Sequence, residues 1–600
     1  MRQILIPTLR VHFYLKAHFL PTARFLLMAR FSLSIRSILN TRLFRPGRPF
    51  FPCRFSFPSR SFRLVLPLLL LSGIFLPGIR LSAQTPAFVT DSLDGYIRQG
   101  LEDWQLPGLS LLVIKDGKVV VMKGYGVKDI VSKEPVDEHT LFMIASNTKL
   151  FTGTALSQLD YDHKLSLDDR FTKYYPSFTL YEPSTTGLLS IRDLLCHRIG
   201  TKTFQGDFTF WNSRLNSQEI MQKMHLLKPV KPFREEFGYC NSCFLAAGQV
   251  IPKVTGKSWQ SYIRDSILSP LSMNGTYTSL KDVPAGANLS KAYTTGFTGT
   301  QQELPLDNWD NLAPAAAILS NVSDLAHWLE FQLDSGRFEG RQLMSFDILQ
   351  QTRDMNTIVS SRKSMRYPSH ITGYGLGLFQ EDYNGRQVFF HTGGASGMVS
   401  VLTFVPEERL AIAVLSNNDY QEFFIALRNQ LLDAYLGVPY VNRSKQMFAG
   451  AAAEMQDTLK TIEGWRQQAA KGLAPALPLA SYAGRYTNPL YGSVDIHVGT
   501  TDKNAKSGAG LNGAGINAGP DGKTGAPHSR LLLTFNGHAH LTATLDYLGD
   551  GDWLMVWNNM EYGIFKTAFT LSGGKVVSLL TKQNDEVEYD PYVFTKVQKP

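Results

Sequence analysis

Ser146 and Lys149 lie in the run Phe142-Met143-Ile144-Ala145-Ser146-Asn147-Thr148-Lys149, which opens a long apolar helical stretch. At i and i+3 on one helical face, the amine can reach the hydroxyl. Packed among apolar neighbours, a lysine tends to lose its proton, because desolvation disfavours its charge. A neutral amine beside a hydroxyl is a nucleophile–base pair, and the helix N-terminus adds partial positive charge near a developing oxyanion. A Ser-x-x-Lys alone is weak, and the chain holds two more. Ser360–Lys363 sits in a polar run, and Ser572–Lys575 spans Gly573-Gly574, which reads as a hairpin turn.

Two further elements carry chemistry. Tyr239-Cys240-Asn241 precedes a small-residue helix (Leu245–Val250). A phenol there can relay a proton to a leaving group, and an asparagine amide can hold a substrate carbonyl. Taken alone, such a triplet is an ordinary surface turn. His391-Thr392-Gly393-Gly394 ends an apolar strand. Its glycines would let substrate backbone approach an edge strand closely. The Gly394 N–H could complete an oxyanion hole with that of Ser146. Alone, it too reads as a strand end with a tight turn.

Taken together, the three elements resemble the serine β-lactamase and penicillin-binding-protein superfamily, in its class C-like, esterase and D-peptidase branch. The superfamily pattern is Ser-x-x-Lys with Ser-Asp-Asn and Lys-Thr-Gly; here Tyr-Cys-Asn and His-Thr-Gly replace the last two. Further similar stretches are Lys164–Asp169, Ile191–Arg198 and Tyr374-Gly375-Leu376-Gly377, so that the resemblance covers about residues 90–435. It implies that Ser146 is acylated, with Lys149 as general base and Tyr239 assisting proton transfer. Asn241, His391, Thr392 and Gly393 would bind substrate, and the amides of Ser146 and Gly394 would hold the oxyanion. His197 and Arg198 are expected to order a loop beside the cleft. A histidine at 391 is mostly neutral at pH 7 and is a weaker partner for a substrate carboxylate than lysine. That shifts the expectation from β-lactams toward a peptide (D-amino-acid peptides included), amide or ester. The alternative is a sensor-type module that is acylated without turnover.

These residues need elements to position them. Leu109–Gly126 alternates around Asp116-Gly117, a hairpin signal. A helix-rich stretch follows, roughly 141–385, with helical runs at Phe142–Tyr161 and Ser323–Leu333. Strand signals return at Gln387–His391, Gly397–Val405 and Leu410–Ser416. The expected fold class is α+β, an α/β sandwich: one antiparallel sheet flanked by helices, with a large helical insertion. Residues 445–470 read as an amphipathic helix with Phe448, Met455, Leu459 and Ile462 on one face, and 474–478 as a linker. Beyond Tyr482, short strands (Ser493–Val498, Arg530–Phe535, Leu541–Leu545) predict a small β-barrel or sandwich. Tyr482-Ala483-Gly484-Arg485-Tyr486 resembles the lipocalin-like domain attached to some of these hydrolases. Residues 502–527, with seven glycines in 26, read as a disordered loop. The expected domains are thus 1–83, 84–438, a helix and linker at 439–478, and 479–600.

Composition excludes some classes. The chain has 600 residues, 60 basic and 51 acidic, but residues 1–90 hold thirteen of the bases and no acid. The remainder carries 47 bases against 51 acids, which removes the main electrostatic support for a nucleic-acid role. The sixteen-residue run Leu64–Ile79 is short and broken for a membrane span. With Arg60 and Arg63 before it and Ala83 after it, it reads as a secretory signal peptide. Periplasmic or secreted localisation is expected, with organelle targeting as the alternative and no stable membrane anchor after cleavage. Cys196, Cys240 and Cys243 are an odd set, against a disulfide framework. Neither they nor His538 and His540, placed on one strand face, complete a metal site, so no metal and no cofactor are expected. The tail could cap the cleft, select substrates or join copies of the chain into a homo-oligomer.

Overall fold

The computed structural model describes residues 85–500 and 529–598. The leader, the Leu64–Ile79 run and the loop expected at 502–527 lie outside the described residues. Two N-terminal strands, β1 (Gly108–Lys115) and β2 (Lys118–Gly126), form the hairpin read from Asp116-Gly117, with both turn residues at positive φ. Six strands from the other end of the sheet's sequence join them. These are β3 (Thr357–Ser360), β4 (Thr372–Tyr374), β5 (Phe379–Tyr383), β6 (Arg386–Ala395), β7 (Met398–Val405) and β8 (Leu410–Ser416). Neighbouring strands pair antiparallel, in the order β2-β1-β8-β7-β6-β5-β4-β3.

Two sequence expectations need correction here. The last part of the helix-rich stretch is not helical: β3, β4 and β5 lie within it, and the sheet has six C-terminal strands rather than three. These strands are short and polar-edged, so their period-2 signal is weak. The helical run also starts later than Phe142. Phe142–Met143 pairs with Leu319–Ser320, Ala145–Asn147 is a tight 3-10 turn, and helix α2 spans Thr148–Tyr161.

Strands β7 and β8 are buried on both faces, which explains their continuous apolar runs. Both α4 (Val322–Leu333) and α5 (Phe423–Tyr435) pack on β8. Each Leu, Ile or Val fully buried there contributes about 1.5–3 kcal/mol. Helix α1 (Leu93–Asp103) closes on α5, its Tyr96 ring against Phe423. Helix α3 (Asn241–Gly248) lies against α2.

Helix α6 (Arg443–Ala469) leads to a closed eight-stranded barrel. Its strands are β9 (Gly484–Asn488), β10 (Gly492–Thr500), β11 (Ser529–Phe535), β12 (Thr542–Gly549), β13 (Asp552–Trp557), β14 (Ile564–Ser572), β15 (Lys575–Thr581) and β16 (Tyr592–Lys596). Pairing of β9 with β16 closes it, removing exposed edges. Ile462 of α6 packs on Leu548, Leu554 and Ile564 of the barrel wall. His538 and His540 sit in the connection after β11, His540 at φ 58°, and do not share a strand face as expected. Turn chemistry (Asn536-Gly537) ends the strand before them. Among the described residues no helix is long and apolar enough to cross a membrane.

Candidate active site

Ser146 sits in the 3-10 turn leading into α2. Ala145 before it adopts φ 49°, a left-handed conformation that alanine avoids unless its surroundings enforce it. The surroundings do. Ile144 N–H donates to Ile318 O at 3.0 Å, Ser400 Oγ donates to Ile144 O at 3.0 Å, and Asn147 Nδ2 donates to Ser400 Oγ at 2.9 Å. The serine is thereby held partly exposed while its neighbours are buried.

Lys149 is fully buried one turn on, with Nζ 3.0 Å from Ser146 Oγ. Nζ also donates to Asn241 Oδ1 at 2.7 Å and to Ala315 O at 2.9 Å. Burial pushes this amine down to about 7, against the pull of Asp207 and Cys240. A neutral amine has two N–H donors. With both given to carbonyl oxygens, its lone pair is left for the serine hydroxyl.

Tyr239 and Asn241 flank the start of α3. The Tyr239 ring lies 4.8 Å from Nζ and its hydroxyl bonds to Ser146. Burial raises the phenol strongly, so it is a proton donor and not a phenolate at neutral pH. His197 lies beneath this ring, at a centroid separation of 4.2 Å, and its Nδ1 accepts the Cys240 N–H at 3.0 Å. Burial lowers His197 well below the usual imidazole range, so it packs as a neutral ring. Arg198 and Arg234 clasp the buried Asp193 at 2.7 and 2.6 Å. Cys196, Cys240 and Cys243 are buried free thiols.

His391, Thr392, Gly393 and Gly394 occupy the end of β6. Strand β5 stops pairing at Phe390, so Thr392–Ala395 bond only to β7 and leave an open edge beside Ser146. His391 is buried, with Nε2 3.0 Å from the Tyr374 hydroxyl and Nδ1 on Thr392 O. Burial, then the Lys149 charge, push it down to about 3. The ring is neutral, and it is not offered to solvent as a cation. Thr392 and Gly394 are partly exposed on the alternate positions. Gly393 is needed for a further reason besides substrate approach: a Cβ there would lie 2.1 Å from Ile144 O and 2.6 Å from Ser400 Oγ. It lets β6 touch the turn that carries the nucleophile. Gly377, at φ 100°, serves similarly, since its Cβ would meet Lys149 O at 2.3 Å. The other Ser-x-x-Lys motifs lie elsewhere; Ser572–Lys575 is a hairpin turn with Gly573 and Gly574 at positive φ.

Two neighbours escaped the sequence reading. Tyr374 was visible only as part of a glycine-rich run. Asp207, fully buried, accepts Asn241 Nδ2 at 2.7 Å. Its one signal is an acid set among Phe204, Phe208, Phe210 and Trp211, a composition that favours burial.

Residues 93–436 match the family model described as Beta-lactamase. The chain is 27% identical to "Unguisins hydrolase ungD" of Aspergillus violaceofuscus, over 68% of this chain and 76% of that one. It is 30% identical to "Protein flp" of Staphylococcus aureus, over 54% of this chain and 62% of that one. Among solved structures, the octameric penicillin-binding protein homologue from Pyrococcus abyssi aligns with TM-score 0.51 at 21% identity, covering 82% of this chain and 96% of that one. That likeness is one of fold. An antiparallel sheet between helices, a serine with its buried amine at the head of α2, and a match over more than half the length lead to one statement: the chain belongs to the beta-lactamase family.

Proposed function

We propose that this protein is a serine hydrolase that works through an acyl-enzyme on an amide, peptide or ester. Lys149 Nζ takes the Ser146 proton as Oγ bonds to the substrate carbonyl carbon. The resulting oxyanion is held by the backbone N–H groups of Ser146 and Gly394. As the intermediate collapses, the carbon–leaving-group bond breaks, and the Tyr239 phenol passes a proton to the departing amine or alkoxide. The phenol is replenished from Lys149. Water then repeats the sequence in reverse and frees the acid. Asn241 and the open edge of β6, with Thr392 and Gly393, hold the acyl group's backbone.

The observation that carries this reading is the buried Lys149 amine, 3.0 Å from Ser146 Oγ and brought down to about 7. The neutral, enclosed His391 favours substrates that lack a carboxylate at that position, simple esters and amides before penicillins. The fungal relative, named as a hydrolase of unguisins, is in keeping with an amide or peptide substrate. Export, read from the run before Ala83, belongs to the same proposal. Intact-protein mass after incubation with a p-nitrophenyl ester tests it. An acyl adduct on the wild type, absent from Ser146→Ala, with continuous nitrophenol release is the expected result. Release without any Ser146 dependence would overturn it, and a single stoichiometric burst would mean an acylated sensor instead.

A further inference from the structure

The barrel reaches the catalytic amine through Glu588, the backbone on either side of Asp207, the Asp207 carboxyl and Asn241. Barrel residue Glu588, in the connection before β16, accepts the Gly206 N–H at 2.8 Å and the Phe208 N–H at 3.2 Å. Tyr491, also of the barrel, donates to the same carboxyl at 2.7 Å. Between the two amides that Glu588 holds lies Asp207. Its carboxyl accepts Asn241 Nδ2 at 2.7 Å, and Asn241 Oδ1 accepts Lys149 Nζ at 2.7 Å.

The segment is under strain that needs an external hold. Phe204 has φ 62° and Asn212 φ 47°, with Gly206 at 89° between them. The Phe208 ring supplies part of the hold by entering the barrel's aromatic end, with ring centroids 4.8 Å from Phe535, 5.4 Å from Tyr562 and 5.7 Å from Tyr592. Lys202 pairs with Asp590, and Arg214 N–H donates to Gly537 O at 2.9 Å. The segment is thus fixed from the barrel side at both ends and in the middle.

An asparagine amide can face either way, and only its partners decide which end meets the lysine. With a carboxyl accepting from Nδ2, the oxygen must face Lys149. Reversed, the amide would point N–H groups at the amine and compete for its lone pair. We propose that Asp207 is a positioning residue for the Lys149 base, acting through Asn241, and that Glu588 of the barrel holds Asp207 in place, so the C-terminal barrel is part of the catalytic apparatus. This rests on the hydrolase reading above.

The full chain is compared as wild type, Asp207→Ala, Asp207→Asn, Glu588→Gln and Ser146→Ala. Acylation by a p-nitrophenyl ester is followed by mass and by stopped-flow, with circular dichroism as the check of folding. Asp207→Ala should acylate at least tenfold more slowly with little change in KM. Asp207→Asn, whose amide oxygen can still accept from Asn241, should recover most of that rate. Glu588→Gln should slow acylation in the same direction, by a smaller factor. A folded Asp207→Ala that acylates at the wild-type rate would overturn the inference, and so would a Glu588→Gln without effect. Should Asp207→Ala not fold, the acylation rate of Glu588→Gln decides alone. Failure of the wild type to acylate at Ser146 would instead sink the hydrolase reading.

Discussion

Lys149 must be neutral to take a proton and must hold its lone pair toward one oxygen. Burial provides the first condition and its two carbonyl partners the second. The catalytically competent form is the deprotonated one, so activity should fall as pH drops through the amine's value. We expect kcat/KM for an uncharged ester to rise about tenfold per pH unit below about 7 and to level off above it. A profile flat from pH 5 to 8 would remove Lys149 as the base. His391 makes a second expectation at this scale. Its ring is neutral because it is buried and beside Lys149. His391→Lys should speed acylation by penicillins, by offering a cation to their carboxylate. It should also lower the pH of the Lys149 limb, since a second ammonium nearby disfavours charge on the first. Equal penicillin acylation rates in the two proteins would refute the role given to His391.

At the scale of elements, the site depends on two close backbone contacts on the nucleophile's surroundings, one at Ile144 from β6 and one at Lys149 from the loop before β5. Gly393→Ala would set a methyl 2.1 Å from Ile144 O, and neither strand nor turn is free to yield cheaply. The expected outcome is a folded protein, by circular dichroism, with kcat/KM down at least tenfold and a lowered Tm. Wild-type kcat/KM would show that β6 and the turn can part without consequence. Much of this was legible in the chain. Ser146, Lys149, Tyr239, Asn241 and His391 stand in the run types expected of them, and the structure brings all five together. The hairpin at Asp116-Gly117 and the strand Leu410–Ser416 also match. What was not legible has a common cause. Strands β3 to β5 run only three to five residues and gain their identity from pairing, which local pattern does not carry. Gly393 was read for substrate alone, whereas it also meets the Ile144 carbonyl, 249 residues earlier in the chain. Asp207 acts across a gap of 34 residues to Asn241 and is itself placed by Glu588, contacts that no periodicity announces.

Over the whole molecule, the barrel and the sheet meet across buried carboxyls, and this makes their union depend on pH. Asp419, just after β8, accepts the Gly397 N–H at 2.8 Å and pairs with the carboxyl of barrel residue Glu561. Gly397 belongs to the turn joining β6 to β7, so the contact abuts the strand that carries Gly394. Asp307, also buried, holds the preceding Ser396 through N–H and hydroxyl at 2.8 Å each, and Glu586 adds a further negative charge near Glu561. Burial raises all three inner acids, Asp419 to about 6. In the unfolded chain a carboxyl titrates near 4. Between these values the folded protein keeps a proton that the unfolded chain gives up. Asp419's contribution is therefore complete below about pH 4 and is lost as pH rises through about 6, while that of Glu561, raised further, is lost at higher pH. Asp419→Asn places a neutral amide where the protonated acid would be: its oxygen can accept from Gly397 and its N–H can donate to Glu561. The variant should match the wild type in Tm at pH 4.5 and exceed it by about 2 °C at pH 7.5. Differential scanning fluorimetry of both proteins across that range measures the difference. A gap that stays constant with pH, or that closes as pH rises, would show that the carboxyls at this junction do not share a proton.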